Sequence, residues 1–477
     1  FEELYHSQGI PLETLSTWGW HSFPNPEGLT LKQSMKVYPV HGRDIAYDAL
    51  QSSPAGQYFR INPHRNPLGQ LGLHLQTEEG TPITPDDIQD IDQTLQLWTG
   101  LATSRYTIDG TPVQVETVCH PERDIVAVRI MSPLLGERLA PRMRFPYAHD
   151  ASVKCKPKLD WTNPDRHQTE RHDLGPRTVR LDRIQDDSRY CVQLMWEGDA
   201  ELKARGPHDF VLAPGAGAQL SLVCAFSPEP ASTTFPTFEA VRAASAAGWS
   251  RYWQSGGAVE LAGSTDPRAH ELERRIVLSQ YLMRVHNTGD FPPQESGLAL
   301  NTWYGKHHTE MIWWHAAHFA PWGLAEYLEK HLAWYRMILP KGQALAKAQG
   351  HDGVRWPKMT GPDAVPSPGT INPFIIWNQP HPIYLSELVY RTRPTRETLE
   401  RYRDLVFESA KYLASYAFYN EEEDRYTLGP PIRSAGEDLE ENLTRNPTFE
   451  LAYWHYGLTL AQAWRERLGL EREPTWD

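Results

Sequence analysis

The sequence predicts an α+β multidomain fold in which a β-rich N-terminal domain precedes an α-helical one. Three observations carry this. Up to about residue 235 apolar and polar residues alternate with period two. Beyond residue 265 nearly every segment has a helical period. Between those helices short returns alternate with long loops rich in Pro, Gly and Trp, as expected when one end of a helical ring carries a site. At 477 residues the chain can bury two cores, and 40 % hydrophobic with 22 % charged residues describes a globular protein.

Segments 111–118, 125–130, 190–196 and 219–226 alternate as strands, with turn signals such as Asp109-Gly110 between them. Many short strands at this spacing predict an antiparallel β-sandwich over residues 1–235. A linker helix containing Trp249 and Trp253 is expected within 236–265, and a helical domain over 266–477. Its helices are expected at about 267–287, 308–322, 325–349, 380–392, 396–418 and 447–468. In the last of these, Asn446 suits the cap and Pro447 the first helical position. Phe449, Tyr453, Tyr456 and Leu460 form one apolar stripe along it.

A net charge of −13 argues against a nucleic-acid partner. No stretch approaches the length of a membrane span. The chain opens at Phe1 without a basic or apolar leader, so any targeting peptide is expected to have been removed or not included. Cys119, Cys155, Cys191 and Cys224 lack metal-ligand spacing and are read as free thiols, two disulfides being the alternative. No metal or cofactor is called for. Phosphate-loop, nucleophile-elbow and dinucleotide fingerprints are all missing from the sequence. Seventeen tryptophans and 21 tyrosines suit both a large core and a sugar site, since an indole covers the C–H face of a sugar and leaves its hydroxyls to polar groups.

Three stretches concentrate candidate chemistry. The first, 289–314, holds Trp303, Tyr304, Lys306, His308, Glu310 and Trp313. On a helix starting near His308, Glu310 would lie one turn from the indoles of Trp313 and Trp314, or would simply favour the helix N-terminus. The second, 350–381, offers Arg355, Trp356, Lys358, Asn378, Gln379 and His381 as sugar contacts or as ordinary loop residues. The third, 429–446, clusters Glu437, Asp438, Glu440 and Glu441. Breaking a glycosidic bond needs a carboxyl that is still protonated near neutral pH, and like charge with desolvation provides that; a solvated acidic loop is the plainer reading.

Together Trp303-Tyr-Gly-Lys-His-His-Thr-Glu-Met, Gly353-Val-Arg-Trp-Pro and the acidic loop before Asn446-Pro-Thr-Phe resemble the six-hairpin (α/α)6 toroid glycosidases. The resemblance is closest to the family 65 type, which includes disaccharide phosphorylases and α-glucosidases. It covers nearly the whole chain in order of elements and about a tenth of it in matching motifs. In that family a Trp-Asp-Thr-Glu run lines the −1 sugar subsite; here His307-His308-Thr309-Glu310 matches it, with His308 in place of the aspartate. The family's general acid matches Glu437, ahead of Glu440 and Glu441. A twelve-helix toroid against six helices here implies that only its first half lies within these residues, with the second catalytic group outside them. An alternative is a half-ring completed by another chain.

The resemblance thus implies a divergent glycoside hydrolase, inverting, with Glu437 as proton donor. Inverting phosphorolysis and non-catalytic carbohydrate binding are the alternatives. The expected partner is a carbohydrate, with no membrane involved and a homodimer left open. The expected location is secreted or periplasmic, otherwise cytoplasmic.

Overall fold

The computed structural model describes residues 13–477 except 137, 151, 156–157, 231–233 and 299–300. Residues 1–12, where the missing leader pattern was read, lie outside the described residues. The chain divides into two compact units, Phe1–Pro24 with Arg65–Ala258 and Asn25–His64 with Val259–Asp477.

In the first unit the alternating segments become strands: β1 (Gln70–Leu75), β2 (Ile88–Gln96), β3 (Leu101–Ile108), β4 (Thr111–Cys119), β5 (Ile125–Met131), β6 (Leu139–Arg144), β7 (His167–Gly175), β8 (Thr178–Gln185), β9 (Ser188–Glu197), β10 (Ala200–Gly206), β11 (Asp209–Pro214) and β12 (Gln219–Ser227). Eight form one sheet in the order β7-β8-β9-β12-β5-β4-β3-β2, and four another in the order β10-β11-β6-β1. Every pairing within these two sheets is antiparallel. Because side chains alternate along a strand, one row of each sheet faces a shared core. Val113, Ile130, Leu181, Val192 and Leu194 from the larger sheet meet Met143, Leu202, Phe210 and Leu212 from the smaller. The result is a β-sandwich. All four cysteines are free, Cys191 and Cys224 buried in β9 and β12.

The second unit begins with a hairpin, Lys36–Val40 paired with Arg43–Tyr47, and helix α1 (Pro54–Ile61). Helix α2 (Phe238–Ser255) belongs to the first unit. The Thr237 hydroxyl caps it, and Phe238 and Val241 pack on Val118, Ile125 and Val223. Six helices follow in the second unit: α3 (Ala269–Asn287), α4 (Ile312–Ala316), α5 (Ala325–Ala348), α6 (His381–Thr392), α7 (Arg396–Tyr416) and α8 (Thr448–Arg467). Helices α5 to α8 pack on one another in turn. The apolar stripe of α7 shows why: Leu399, Tyr402, Val406, Ala410 and Leu413 recur at helical spacing and are all buried.

Three local expectations are corrected. The helix expected over 308–322 is reduced to α4 and a 3-10 turn over Ala317–Phe319. His307–His308 instead forms a short strand, β13, paired with β14 (Met359–Thr360), which consumes the backbone groups a helix would need. Glu310 therefore lies before α4 and not one turn inside it. Asn446 does not cap α8; Pro447 occupies that position, and Asn446 Oδ1 accepts from Leu428 N at 2.7 Å. The stripe of α8 does not all face the core: Leu460 is buried beside Trp454, Ala461 and Trp464, while Phe449 and Tyr456 are exposed. No helix among the described residues is long and apolar enough to cross a membrane.

Candidate functional site

Strand β13 and the loop before β14 hold the centre of the site. His307 pairs with Thr360 and His308 with Met359. Thr309 N donates to Lys358 O at 2.8 Å, and its hydroxyl donates to Pro357 O at 2.8 Å. Asn378 Nδ2 donates in turn to Thr309 Oγ1 at 2.7 Å and to Trp356 O at 3.0 Å. This stitching sets Lys358 beside Glu310, their charged atoms 2.9 Å apart. Glu437 reaches the same ammonium from the acidic loop, at 3.4 Å. One lysine thus bridges two carboxylates drawn from segments 127 residues apart in the chain (310 to 437).

Burial governs the electrostatics. Lys358 and Glu310 are 10 % and 8 % exposed, Glu437 40 %. Burial pushes the Glu310 carboxyl up to about 7, against the pull of Lys358 and with added push from the charges of Glu437 and Glu295. One of its oxygens, Oε2, is buried without a hydrogen-bond partner. Lys358 has its pKa raised: burial opposes the charge, but Glu310 and Glu437 together outweigh it. The cluster can therefore hold a proton near neutral pH beside a fixed positive charge.

Histidines line the surroundings in neutral form. Burial and Lys358 hold His308 well below its ordinary pKa. Its Nδ1 donates to Lys306 O at 3.2 Å, leaving Nε2 3.7 Å from Glu295 Oε2. Burial lowers His381 to about 3, so it bridges as a neutral ring, donating from Nε2 to Glu310 O at 3.0 Å and accepting at Nδ1 from the Tyr453 hydroxyl at 2.8 Å. Trp303 stands edge-on to His308, ring centroids 6.0 Å apart. Tyr304 and Trp303 both adopt left-handed backbone conformations, φ +61° and +50°.

His381 is also one wall of a cavity of about 400 Å³ lined otherwise by six aromatics: Trp313, Trp314, Tyr384, Phe449, Tyr453 and Tyr456. Trp313 and Tyr384 lie nearly parallel, 10° between planes at 5.8 Å.

Of the sequence candidates, Glu310, Lys358 and Glu437 come together, His308 feels the charge of Lys358, Trp303 packs on His308, Trp313 and His381 line the cavity, and Tyr304 bonds to Arg60. Four others turn inward. Lys306 Nζ donates to Phe59 O at 2.6 Å and Asn62 O at 2.9 Å, fully buried. Arg355 donates to Gln349 Oε1 and Pro373 O and lies over the Tyr47 ring. Trp356 is wholly buried, its Nε1 donating to Ser409 at 3.0 Å. Asn378 supports the Thr309 stitch described above. Glu441 is taken by Arg433 at 2.7 Å. Sequence reasoning passed over Glu295, although it sits within the first stretch. It read Tyr453 and Tyr456 of α8 only as part of an apolar stripe, and it passed over Tyr384 of α6. No group of three or more His, Cys, Asp or Glu placed to hold a metal occurs among the described residues.

A structure described as "Putative kojibiose phosphorylase from human microbiome" superposes with a TM-score of 0.58 at 10 % identity, over 97 % of this chain and 68 % of that one. A bacterial glucoamylase in complex with acarbose superposes with a TM-score of 0.50 at 12 % identity, over 96 % of this chain and 65 % of that one. The chain shares their fold. At such identities the likeness is one of fold, and it leaves about a third of each neighbour without a counterpart here. No protein-family model and no curated protein matches the chain.

Proposed function

We propose that the chain is part of a carbohydrate-active enzyme that cleaves a glycosidic bond, with Glu437 as the proton donor to the leaving oxygen. The observation that carries this is the sharing of Lys358 by Glu310 and Glu437, with His381 joining the Glu310 carbonyl to the wall of an aromatic cavity. A glycosidic oxygen is a poor leaving group until it is protonated; Glu437 is the solvent-accessible carboxyl of the cluster, and buried Glu310 beside it, raised to about 7, keeps a proton in the cluster near neutral pH. Indole and phenol faces give the sugar ring its apolar contact. The shared fold with a glucoamylase supports the same reading.

In this reading the reaction is hydrolysis with inversion, and water is activated by a base on the other half of a twelve-helix ring. No residue of this chain is assigned as that base. Exposed Leu272, Leu278, Leu282 and Val285 on α3 offer a face that a further helix would cover. A second reading is phosphorolysis, favoured by the phosphorylase name of the first neighbour.

The test uses the full-length enzyme and a panel of disaccharides and alkyl glycosides. Glu437→Gln is expected to lower turnover by about 10²–10⁴-fold while saccharide affinity is kept. Undiminished turnover by that variant overturns the assignment. Turnover that requires added phosphate selects phosphorolysis, and saccharide affinity without any cleavage by wild type selects a binding protein.

A further inference from the structure

The loop that presents Glu437 closes on itself. Ile432 N donates to Glu441 O at 3.0 Å, and Arg433 N donates to Phe374 O at 2.9 Å, tying the loop to the segment before α6. The Arg433 side chain folds back under the loop. Its Nη1 donates to the carbonyl oxygens of Glu437 at 3.2 Å and Leu439 at 3.0 Å. Its Nη2 donates to the Glu441 carboxylate at 2.7 Å, and both side chains of that pair are less than a fifth exposed.

The carbonyl so held belongs to a strained residue. Glu437 has φ +61°, in the left-handed region that a side-chain-bearing residue rarely adopts. Such a conformation persists where the surroundings over-determine it. Here a turn bond from Glu437 N to Ser434 O at 2.9 Å fixes one side of the residue and the guanidinium fixes the other. Of the loop's four carboxylates, Asp438 accepts from Ser434 and Glu441 is held by Arg433, while Glu437 is the one that meets Lys358.

We propose that Arg433, anchored by Glu441, is a positioning residue that clamps the backbone of Glu437 and so aims its carboxyl at Lys358 and the reacting oxygen. The planar fork of arginine is what the arrangement needs: two carbonyls and a carboxylate are met by two nitrogens of one rigid plane, which a lysine cannot reproduce. The inference rests on the reading of Glu437 as proton donor.

Its test is kinetic, in the full-length enzyme, with whichever disaccharide or alkyl glycoside the wild type turns over. Arg433→Ala should lower kcat by roughly 10²-fold, the scale of a 1 Å misplacement, with KM within about twofold of wild type. Millimolar guanidinium should restore part of the loss, and Arg433→Lys should fall between. Glu441→Gln, which keeps the guanidinium but loosens its anchor, should give a smaller loss of the same kind and serves if Arg433→Ala does not fold. In a Glu437→Gln background, Arg433→Ala should cost little more. Wild-type kcat in Arg433→Ala overturns the proposal, as does a loss that guanidinium leaves unchanged and that adds in full to Glu437→Gln. If Glu437→Gln is inactive while Arg433→Ala is normal, only the clamp fails; if Glu437→Gln is fully active, the proton-donor reading fails with it.

Discussion

Glu310 is where residue chemistry has the widest consequence. Its folded-state pKa of about 7 lies above its ordinary 4.5, so between those values the folded protein binds more protons than the unfolded one. Stability from this group is therefore full below pH 4.5 and lost as pH rises through 7. Burial raises Asp48, to about 6, and Glu450 in the same direction. Glu310→Gln should accordingly be close to neutral for stability at pH 5 and gain on wild type by pH 8, by something on the order of 3 kcal/mol at most. Melting temperatures of both proteins across that range check it, and a difference independent of pH contradicts it. Lys358→Met should act the other way, leaving two carboxylates facing each other without their cation, one of them buried. Denaturant unfolding at pH 8 should show a loss of about 3–5 kcal/mol. Glu310, Lys358 and Glu437 were each legible as candidates in the sequence, but not that one cation joins the other two. The link depends on the pairing of β13 with β14, and nothing local in His307-His308 announces a strand. Arg355 and Trp356 read as sugar contacts for the converse reason: burial, which decides their role, is a tertiary property.

At the scale of elements, periodicity was a good guide to the strands and to five of the six helices after residue 265, although α3 buries only Gln280 and Asn287. It misjudged α8. The stripe of Phe449, Tyr453 and Tyr456 has core spacing but lines the open cavity, while Trp454 and Trp464 are buried. This yields a contrast in denaturant unfolding. Trp464→Ala should cost about 3–5 kcal/mol, as for a large buried aromatic. Tyr456→Ala, partly exposed, should cost under about 1 kcal/mol and instead weaken saccharide binding. Equal costs would mean that α8 is oriented otherwise. At its N-terminus, Asn446 has φ +49° and ties back to Leu428 in both directions, through its side chain and its backbone. Its role belongs to the loop and not to the helix cap, which no spacing rule distinguishes.

For the whole molecule, the change from period two to helical period was enough to read a sandwich and a helical unit. The strand order was not legible, since β12 lies between β9 and β5 and pairs residues some 90 positions apart. That residues 25–64 group with the helical unit was equally invisible, because their hairpin and α1 look like any other short elements. At this scale the central proposal is that the helical unit presents Glu437 as an acid. The most direct measurement compares leaving groups in the full-length enzyme. A 2,4-dinitrophenyl glycoside departs without protonation, whereas an alkyl glycoside of the same sugar does not. Glu437→Gln should therefore lose kcat/KM by about 10²–10⁴-fold on the alkyl glycoside and by less than about tenfold on the dinitrophenyl one. Equal losses on both would contradict a proton-donating role for Glu437.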